Sequence, residues 1–301
     1  MDSCINPIEY IDFELSSNDS QRLFHGRGHA YPGLEHVCID WISPVALITL
    51  YAPQDEISLS EWSDTLVSNL EGCKSVQLQR RFLKGGPFET LAGEQITELV
   101  AIEHGLKYQI SLGKVQNTGL FLDMANGRKW LNEKSPNASV LNLFSYTCGF
   151  SVAAIAGGAS SVMNIDMSSA ALSVGRANHK LNAHDPEGIK YQALDIFKSW
   201  GRIKKHGSYD ILVSDPPSFQ KGSVNIQRDY HKVIKRIPEL VKPGGLIMLC
   251  LNSPDLDDDF LLGQMSEYAP DCKIIEKLDN PTVFKEVIPG KGLKVYIFQY
   301  L

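Results

Sequence analysis

Paired cysteines, long apolar runs and an excess of basic residues are all missing from these 301 residues. The six cysteines stand at 4, 38, 73, 148, 250 and 272, with neither CxxC spacing nor a histidine–cysteine grouping of zinc-ligand type. A disulfide framework or a bound metal is therefore not expected, and reduced thiols in the cytoplasm fit better. Apolar runs such as 45–50 are far too short to span a bilayer, so no membrane partner is expected. The first nineteen residues carry five acids and no base, which does not read as a signal or transit peptide. A net charge of −6 disfavours a surface that grips duplex nucleic acid all over, while leaving local basic patches open.

What is present is an ordinary globular composition, 43% apolar and 21% charged, enough to bury a sizeable core. The rhythm changes near residue 135. Before it, Val76, Leu78, Arg80 and Phe82 alternate with Gln77, Gln79 and Arg81, the pattern of a half-buried strand. His104-Gly105 joins two further alternating runs, as a hairpin turn does. Ser58 and Glu61 have capping-box spacing, with Ile57 and Trp62 placed as a staple and Trp62, Leu66 and Leu70 as an apolar stripe. Residues 1–112 thus read as a small, mainly antiparallel α+β domain. Asn132–Pro136 reads as a linker. From there to 301, apolar strands near 139–144, 162–165, 189–194, 209–214 and 246–251 alternate with helices, the last of them long and running from about 225 to Lys242-Pro243-Gly244-Gly245. Strands near 272–278 and 293–300 close the chain. This is an α/β pattern, a mostly parallel doubly wound sheet over 113–301 with an antiparallel end. Asp255–Asp259 is a short acidic run suited to a helix start.

Ligands of such sheets bind beyond the carboxyl ends of the strands. After the first strand comes Phe144-Ser145-Tyr146-Thr147-Cys148-Gly149, with one glycine where a dinucleotide fingerprint needs three, which counts against NAD or FAD. Asp166 follows the second strand, placed for ribose hydroxyls. Asp195 follows the third, with Ile196 and Phe197 suited to an adenine. An acid after a strand is also a common helix cap, but the three in order point to an adenosine without a diphosphate, of which S-adenosylmethionine is the obvious example. After the fourth strand, Asp215-Pro216-Pro217-Ser218-Phe219 is a stiff turn with free carbonyls, able to hold a planar base beside a methyl donor. A simple rigid turn is the plainer alternative.

From about Gln116 to Ser253 the chain resembles the bacterial 23S rRNA methyltransferases of the class I S-adenosylmethionine fold, both the 5-methylcytosine and the guanine-N7 large-subunit enzymes. The resemblance lies in Gln116–Asp123, Leu141–Thr147, Val162–Ser168, Asp215–Phe219, Gln227-Arg228-Asp229-Tyr230 and Lys242–Gly245. It implies a Rossmann-like seven-stranded sheet with S-adenosylmethionine as cofactor. By it, Ser145, Tyr146, Thr147 and Gly149 line the methionine side and Asp166 and Asp195 hold the adenosine. Phe144, Met167 and Ile196 complete that lining, and Phe121 and Asp123, in a segment that folds over the cofactor, join it. Asp215, Pro216, Pro217 and Phe219 face the acceptor, and Asp215 also borders the cofactor. No match to the RNA-binding PUA module of the cytosine enzymes is present. Cytosine enzymes also place a nucleophilic cysteine just past the fifth strand. This chain has Asn252 there, as the guanine-N7 enzyme does, and Cys250 reads as a core thiol. A base nitrogen is therefore the expected acceptor rather than cytosine C5.

Local basic stretches, Lys221–Arg236 and Arg80–Lys84, suit phosphate contacts with RNA, here 23S rRNA, although solvated faces explain them too. His25-Gly26-Arg27-Gly28-His29 reads first as a loop. The leading expectation is RNA base methylation. Transfer to a small molecule or protein, and a silent RNA-binding module of the same fold, are the alternatives; salt-dependent RNA binding and methyl transfer separate them. The oligomeric state has no signal in the sequence.

Overall fold

The computed structural model describes residues 6–15, 17–114, 116–220 and 224–301, the side chains of 219 and 220 excepted. Contacts divide the chain into two compact units, Met1–Asp123 with Pro281–Pro289, and Met124–Asn280 with Gly290–Leu301.

Among the described residues the first unit holds β1 (Gln21–His25), β2 (Val37–Ile42), β3 (Val45–Leu50), α1 (Glu56–Asn69), β4 (Ser75–Arg80) and β5 (Phe88–Gly93), the strands forming one sheet in that order. All pairs are antiparallel except β3–β4, which α1 connects as a crossover. The central strands are buried on both faces, with Trp62, Leu66 and Leu59 of α1 packed in their core. Each such side chain contributes about 1.5–3 kcal/mol on burial. The expected capping box is not formed. Asp55 is the N-cap, its Oδ1 accepting from the Ser58 amide (2.8 Å) and its Oδ2 from Ser58 Oγ (2.8 Å), so the helix starts three residues earlier and Ile57 is exposed. Nor is β4 half-buried: Gln77 and Gln79 are inside too, tied by their amides to the carbonyls of Ile96 (2.7 Å) and Gln116 (2.9 Å). The hairpin β6 (Glu98–Glu103) and β7 (Leu106–Ser111) turns at His104 and Gly105, both at positive φ as a two-residue turn requires.

The second unit is α2 (Ala125–Lys134), β8 (Ser139–Leu143), α3 (Gly149–Ala156), β9 (Ser161–Asp166), α4 (Ser169–Leu181), β10 (Ile189–Ala193), α5 (Trp200–Lys204), β11 (Tyr209–Ser214), a two-residue pair β12 (Phe219–Gln220) and β13 (Val224–Asn225), α6 (Ile226–Ile234), α7 (Ile237–Leu240), β14 (Val241–Leu251), α8 (Asp258–Tyr268), β15 (Cys272–Leu278) and β16 (Lys294–Tyr300). The sheet order is β10-β9-β8-β11-β14-β16-β15. Only β16 runs against the others, inserted between β14 and β15. The antiparallel end is therefore one reversed strand, with β15 parallel to β14 once more. Strand order reverses between β8 and β11, and a crevice at their carboxyl ends follows from that. Two other expectations are corrected. Asn132–Lys134 is the last turn of α2 rather than a linker, with Asn132 Nδ2 donating to the Ala153 carbonyl (2.9 Å). The long helix is broken into α6 and α7, because Pro238 has no amide to continue the ladder. Asp257 caps α8, as the acidic run suggested.

Beneath the sheet a polar chain crosses the core. Asn142 Nδ2 donates to Asn164 Oδ1 (2.9 Å), Asn164 Nδ2 donates to Ser151 Oγ (2.9 Å), and that hydroxyl meets His179 Nε2 (2.9 Å), whose Nδ1 meets His184 (2.9 Å). The chain of donors runs one way only if His179 is neutral, with Nε2 accepting. Burial pushes the His179 imidazole down to about 3 from its ordinary 6.5. The folded state thus binds fewer protons than the unfolded chain between those values. The stabilisation is full above pH 6.5 and is lost as pH falls toward 3, at up to about 1.4 kcal/mol per pH unit. Chemical denaturation across that window is expected to show this slope and His179→Gln to reduce it; an equal slope in the variant would contradict the assignment.

Candidate functional site

The loop after β8 is the most constrained backbone of the second unit. Phe144, Tyr146 and Cys148 have positive φ of 56°, 46° and 62° at alternate positions, each without being glycine. Such residues cost of order 1–3 kcal/mol and persist where surroundings over-determine them, which is typical of ligand sites. Here the surroundings are visible. Ser145 N donates to the Ile165 carbonyl (3.0 Å) and Tyr146 N donates to Asp166 Oδ2 (2.9 Å). Asn178 of α4 donates through Nδ2 to the Thr147 carbonyl (2.9 Å). Cys148 is fully buried, and a Cβ on Gly175 of α4 would lie 2.4 Å from its sulfur. Burial pushes the Cys148 thiol up to about 12, so it is a packing group rather than a reactive thiolate. The loop opens α3, whose first amides, Gly149 and Phe150, have no intrahelical acceptor.

Asp166 ends β9, half-buried, with Oδ1 also accepting from Ser168 N (2.8 Å). Its carboxylate thereby joins the β8 loop to the start of α4 and keeps a lone pair on each oxygen. Met167 beside it is exposed. Asp195, after β10, caps the short turn Ile196–Lys198 through Phe197 N (3.0 Å) and accepts from the exposed Lys198 (3.0 Å). The Ile196 side chain does not offer a face here; it packs into the core with Leu141, Leu143 and Ile165. Phe197 is half-buried against the same core, its ring 6.1 Å from that of Phe144.

After β11, Asp215 is half-buried, Pro216 buried and Pro217 exposed. Ser218 Oγ donates to the carbonyl of Asn252, the first residue past β14. The Phe219 side chain and Lys221 lie outside the described residues. Lys294 was not singled out from the sequence, where a lysine in an apolar strand reads as an edge. It is 1% exposed, and its Nζ donates to the carbonyls of Ser253 (3.1 Å) and Gly292 (2.8 Å), steadying the segment that receives Ser218. Asn178 and Gly175 were likewise missed; a polar and a small residue on the inner face of α4 were the available signal. Phe121 and Asp123 belong to the first unit, Phe121 exposed and Asp123 in the turn Leu122–Met124. No group of three or more histidine, cysteine or acidic side chains among the described residues is arranged to hold a metal ion, and no helix among them is long and apolar enough to cross a membrane.

A family model described as S-adenosylmethionine-dependent methyltransferase matches residues 21–299. The chain belongs to that family. Among curated relatives, ribosomal RNA large subunit methyltransferase I of Cronobacter sakazakii is 28% identical over 307 residues, 93% of this chain and 75% of that one. Ribosomal RNA large subunit methyltransferase K of Neisseria meningitidis is 33% identical over 220 residues, 70% of this chain and 61% of that one. A crystal structure assigned as a methyltransferase, complexed with SAH, superposes with a TM-score of 0.81 at 25% identity, over 93% of this chain and 75% of its own. The residues of this methyltransferase fit the cofactor. Ser145 Oγ is buried at the mouth of β8 and Ser214 Oγ at the end of β11, and neither has a hydrogen-bond partner among the described residues. Buried hydroxyls of that kind are normally satisfied, so a ligand's polar atoms at the switch point answer the need.

Proposed function

We propose that this methyltransferase modifies a base of large-subunit ribosomal RNA, on a nitrogen rather than on cytosine C5. The observation that carries the site is the strained β8 loop, braced by Asp166 and opening beside the Asp215-Pro216-Pro217 turn. The names of the curated relatives support the substrate.

In this reading Ser145, Tyr146, Thr147 and Gly149 hold the amino-acid end of S-adenosylmethionine. Asp166 accepts from the ribose hydroxyls beside Met167. Asp195 accepts from the purine amino group, with the Ile196 amide and the Phe144 ring alongside. Bound S-adenosylmethionine supplies a methyl group already activated on a sulfonium, displaced in line. What the chain supplies is alignment and exclusion of water. Pro216 and Pro217 fix the turn and Asp215 orients the acceptor base. An acceptor nitrogen with its own lone pair needs no covalent activation, which agrees with Asn252 past β14. Cys250 is fully buried within β14 among Met248, Val295 and Ile297. Cys250→Ala is expected to cost about 1–2 kcal/mol of stability and to leave methyl transfer intact. Loss of transfer in the folded variant would restore the covalent route.

Of the basic stretches, the described part of Lys221–Arg236 is largely self-compensated. Arg228 and Lys232 both bind the buried Asp229 at 2.8 Å, and Arg236 binds Glu239 at 2.9 Å. Arg228 beside it, with help from Lys232, holds the Asp229 carboxyl well below the usual range. Among the described residues, Lys235, exposed and 4.2 Å from the Tyr268 ring centre, is a cation there that remains for a phosphate. In Arg80–Lys84, Arg80 is spent on Glu56 and Glu89, leaving Arg81 and Lys84. Mass spectrometry of nucleosides from 23S rRNA of cells with and without the gene tests the reading. One methylated nucleoside missing from the deletion strain is expected, and identical profiles would refute it.

A further inference from the structure

The first unit gathers arginine and aromatic side chains at a place that the cofactor site does not use. Cross-strand pairing of β1 with β2 sets Arg22 opposite Asp40 and His25 opposite Cys38. Arg22 is bound to Asp40, and its guanidinium lies 5.0 Å from the Phe284 ring centre. Arg27 lies 4.0 Å from the Tyr51 ring centre and Arg81 lies 5.7 Å from the same ring. Arg81 donates to Asn117 Oδ1 (3.1 Å). Neither Arg27 nor Arg81 has a carboxylate partner among the described residues, whereas Arg22 and Arg80 of the same unit are both paired.

The exposed Arg27 does not hang from a loose loop. It sits in the turn Gly26–Gly28, where a Cβ on Gly26 would fall 1.8 Å from the Leu34 carbonyl oxygen and one on Gly28 1.6 Å from that of Lys285. Val287 N closes the turn onto the Gly28 carbonyl (2.9 Å). Packing therefore fixes where this guanidinium projects. Burial, then the field of Arg22, pushes the His25 imidazole down to about 3, so it adds no charge near neutrality. The resulting surface has two unpaired guanidiniums on one half-exposed ring in a chain of net charge −6.

We infer that Arg27, Tyr51 and Arg81 form a contact site for single-stranded RNA, the guanidiniums reaching phosphates and the ring taking an unstacked base. The inference rests on the RNA reading above. An acidic polypeptide would engage the charges and leave the ring idle. A duplex keeps its bases stacked and cannot use the ring either. A planar guanidinium beside an aromatic is matched to both a base face and a phosphate edge, which a lysine is not.

The test is fluorescence anisotropy of the full chain with a fluorescein-labelled single-stranded RNA of mixed sequence, and with its duplex. Arg27→Ala/Arg81→Ala is expected to weaken single-strand binding at least about tenfold and to lower the salt slope by roughly 1–2. Tyr51→Leu is expected to weaken the single strand more than the duplex, and Arg27→Lys to restore only part of the loss. SAH affinity should be unchanged in every variant, which verifies the fold. Wild-type RNA binding with unaffected variants would overturn this site alone. Displacement of the RNA by poly-glutamate at equal charge would overturn it in favour of an acidic protein partner. A wild-type chain that binds SAH but no RNA would overturn the RNA reading itself, and this site with it.

Discussion

Asp166→Ala is expected to weaken S-adenosylmethionine binding by about 1–3 kcal/mol, roughly fivefold to more than a hundredfold in dissociation constant. Two losses combine. The carboxylate no longer accepts from a ribose, and the amides of Tyr146 and Ser168 lose the acceptor that holds the β8 loop to the start of α4. Asp166→Asn separates them. It retains one carbonyl oxygen but places an amide nitrogen, a donor, where one of these two backbone donors needs an acceptor. Calorimetric titration with SAH, alongside thermal unfolding, reads both effects. An affinity unchanged in the alanine variant removes Asp166 from the site, whatever happens to the melting temperature.

Gly175→Ala is expected to destabilise the second unit by about 1–3 kcal/mol, through overpacking. The sign makes this informative. In an unobstructed helix interior the same substitution is favourable by about 0.8–1.0 kcal/mol. Here the new methyl meets Cys148 Sγ at 2.4 Å and Cys148 Cβ at 2.9 Å. The sulfur has nowhere to go, because Cys148 is fully buried at positive φ and its neighbour Thr147 is held by Asn178. The strain should pass into the β8 loop and lower SAH affinity together with stability. Cys148→Gly removes the obstruction and suits the left-handed backbone, so the double variant should recover most of both losses. A melting temperature raised by Gly175→Ala alone would show that α4 does not brace the loop.

Much of this architecture is readable from the chain because its signals are local. Five apolar runs, each followed by a small or acidic residue and then a helical stretch, place the strand ends and hence the loop 144–149, Asp166, Asp195 and the Asp215 turn. What was not readable is mostly non-local. The insertion of β16 between β14 and β15 depends on pairing Leu246 with Gln299, which no short window contains. Gln77 and Gln79 read as an outer face, yet their amides find carbonyls from distant segments and both go inside. Ile196 shares a strand end with Asp195, but its apolar side chain is drawn into the core beside Leu143. Other misses were local competitions decided by one residue. Asp55 out-competed Ser58 for the start of α1 because it accepts from both the amide and the hydroxyl of Ser58. Pro238 divided what reads by apolar spacing as one helix. Lys294 was invisible for a different reason, since only three-dimensional context turns a strand lysine into a buried donor for two carbonyls.

A crystal structure of this chain grown with SAH would show where the nucleoside sits. The nucleoside is expected at the reversal between β8 and β11, with ribose hydroxyls within hydrogen-bond distance of Asp166, the purine toward Asp195 and Phe144, and Ser145 Oγ engaged. Density for the nucleoside at any other edge of the sheet, or a ribose with no contact to Asp166, would contradict this placement.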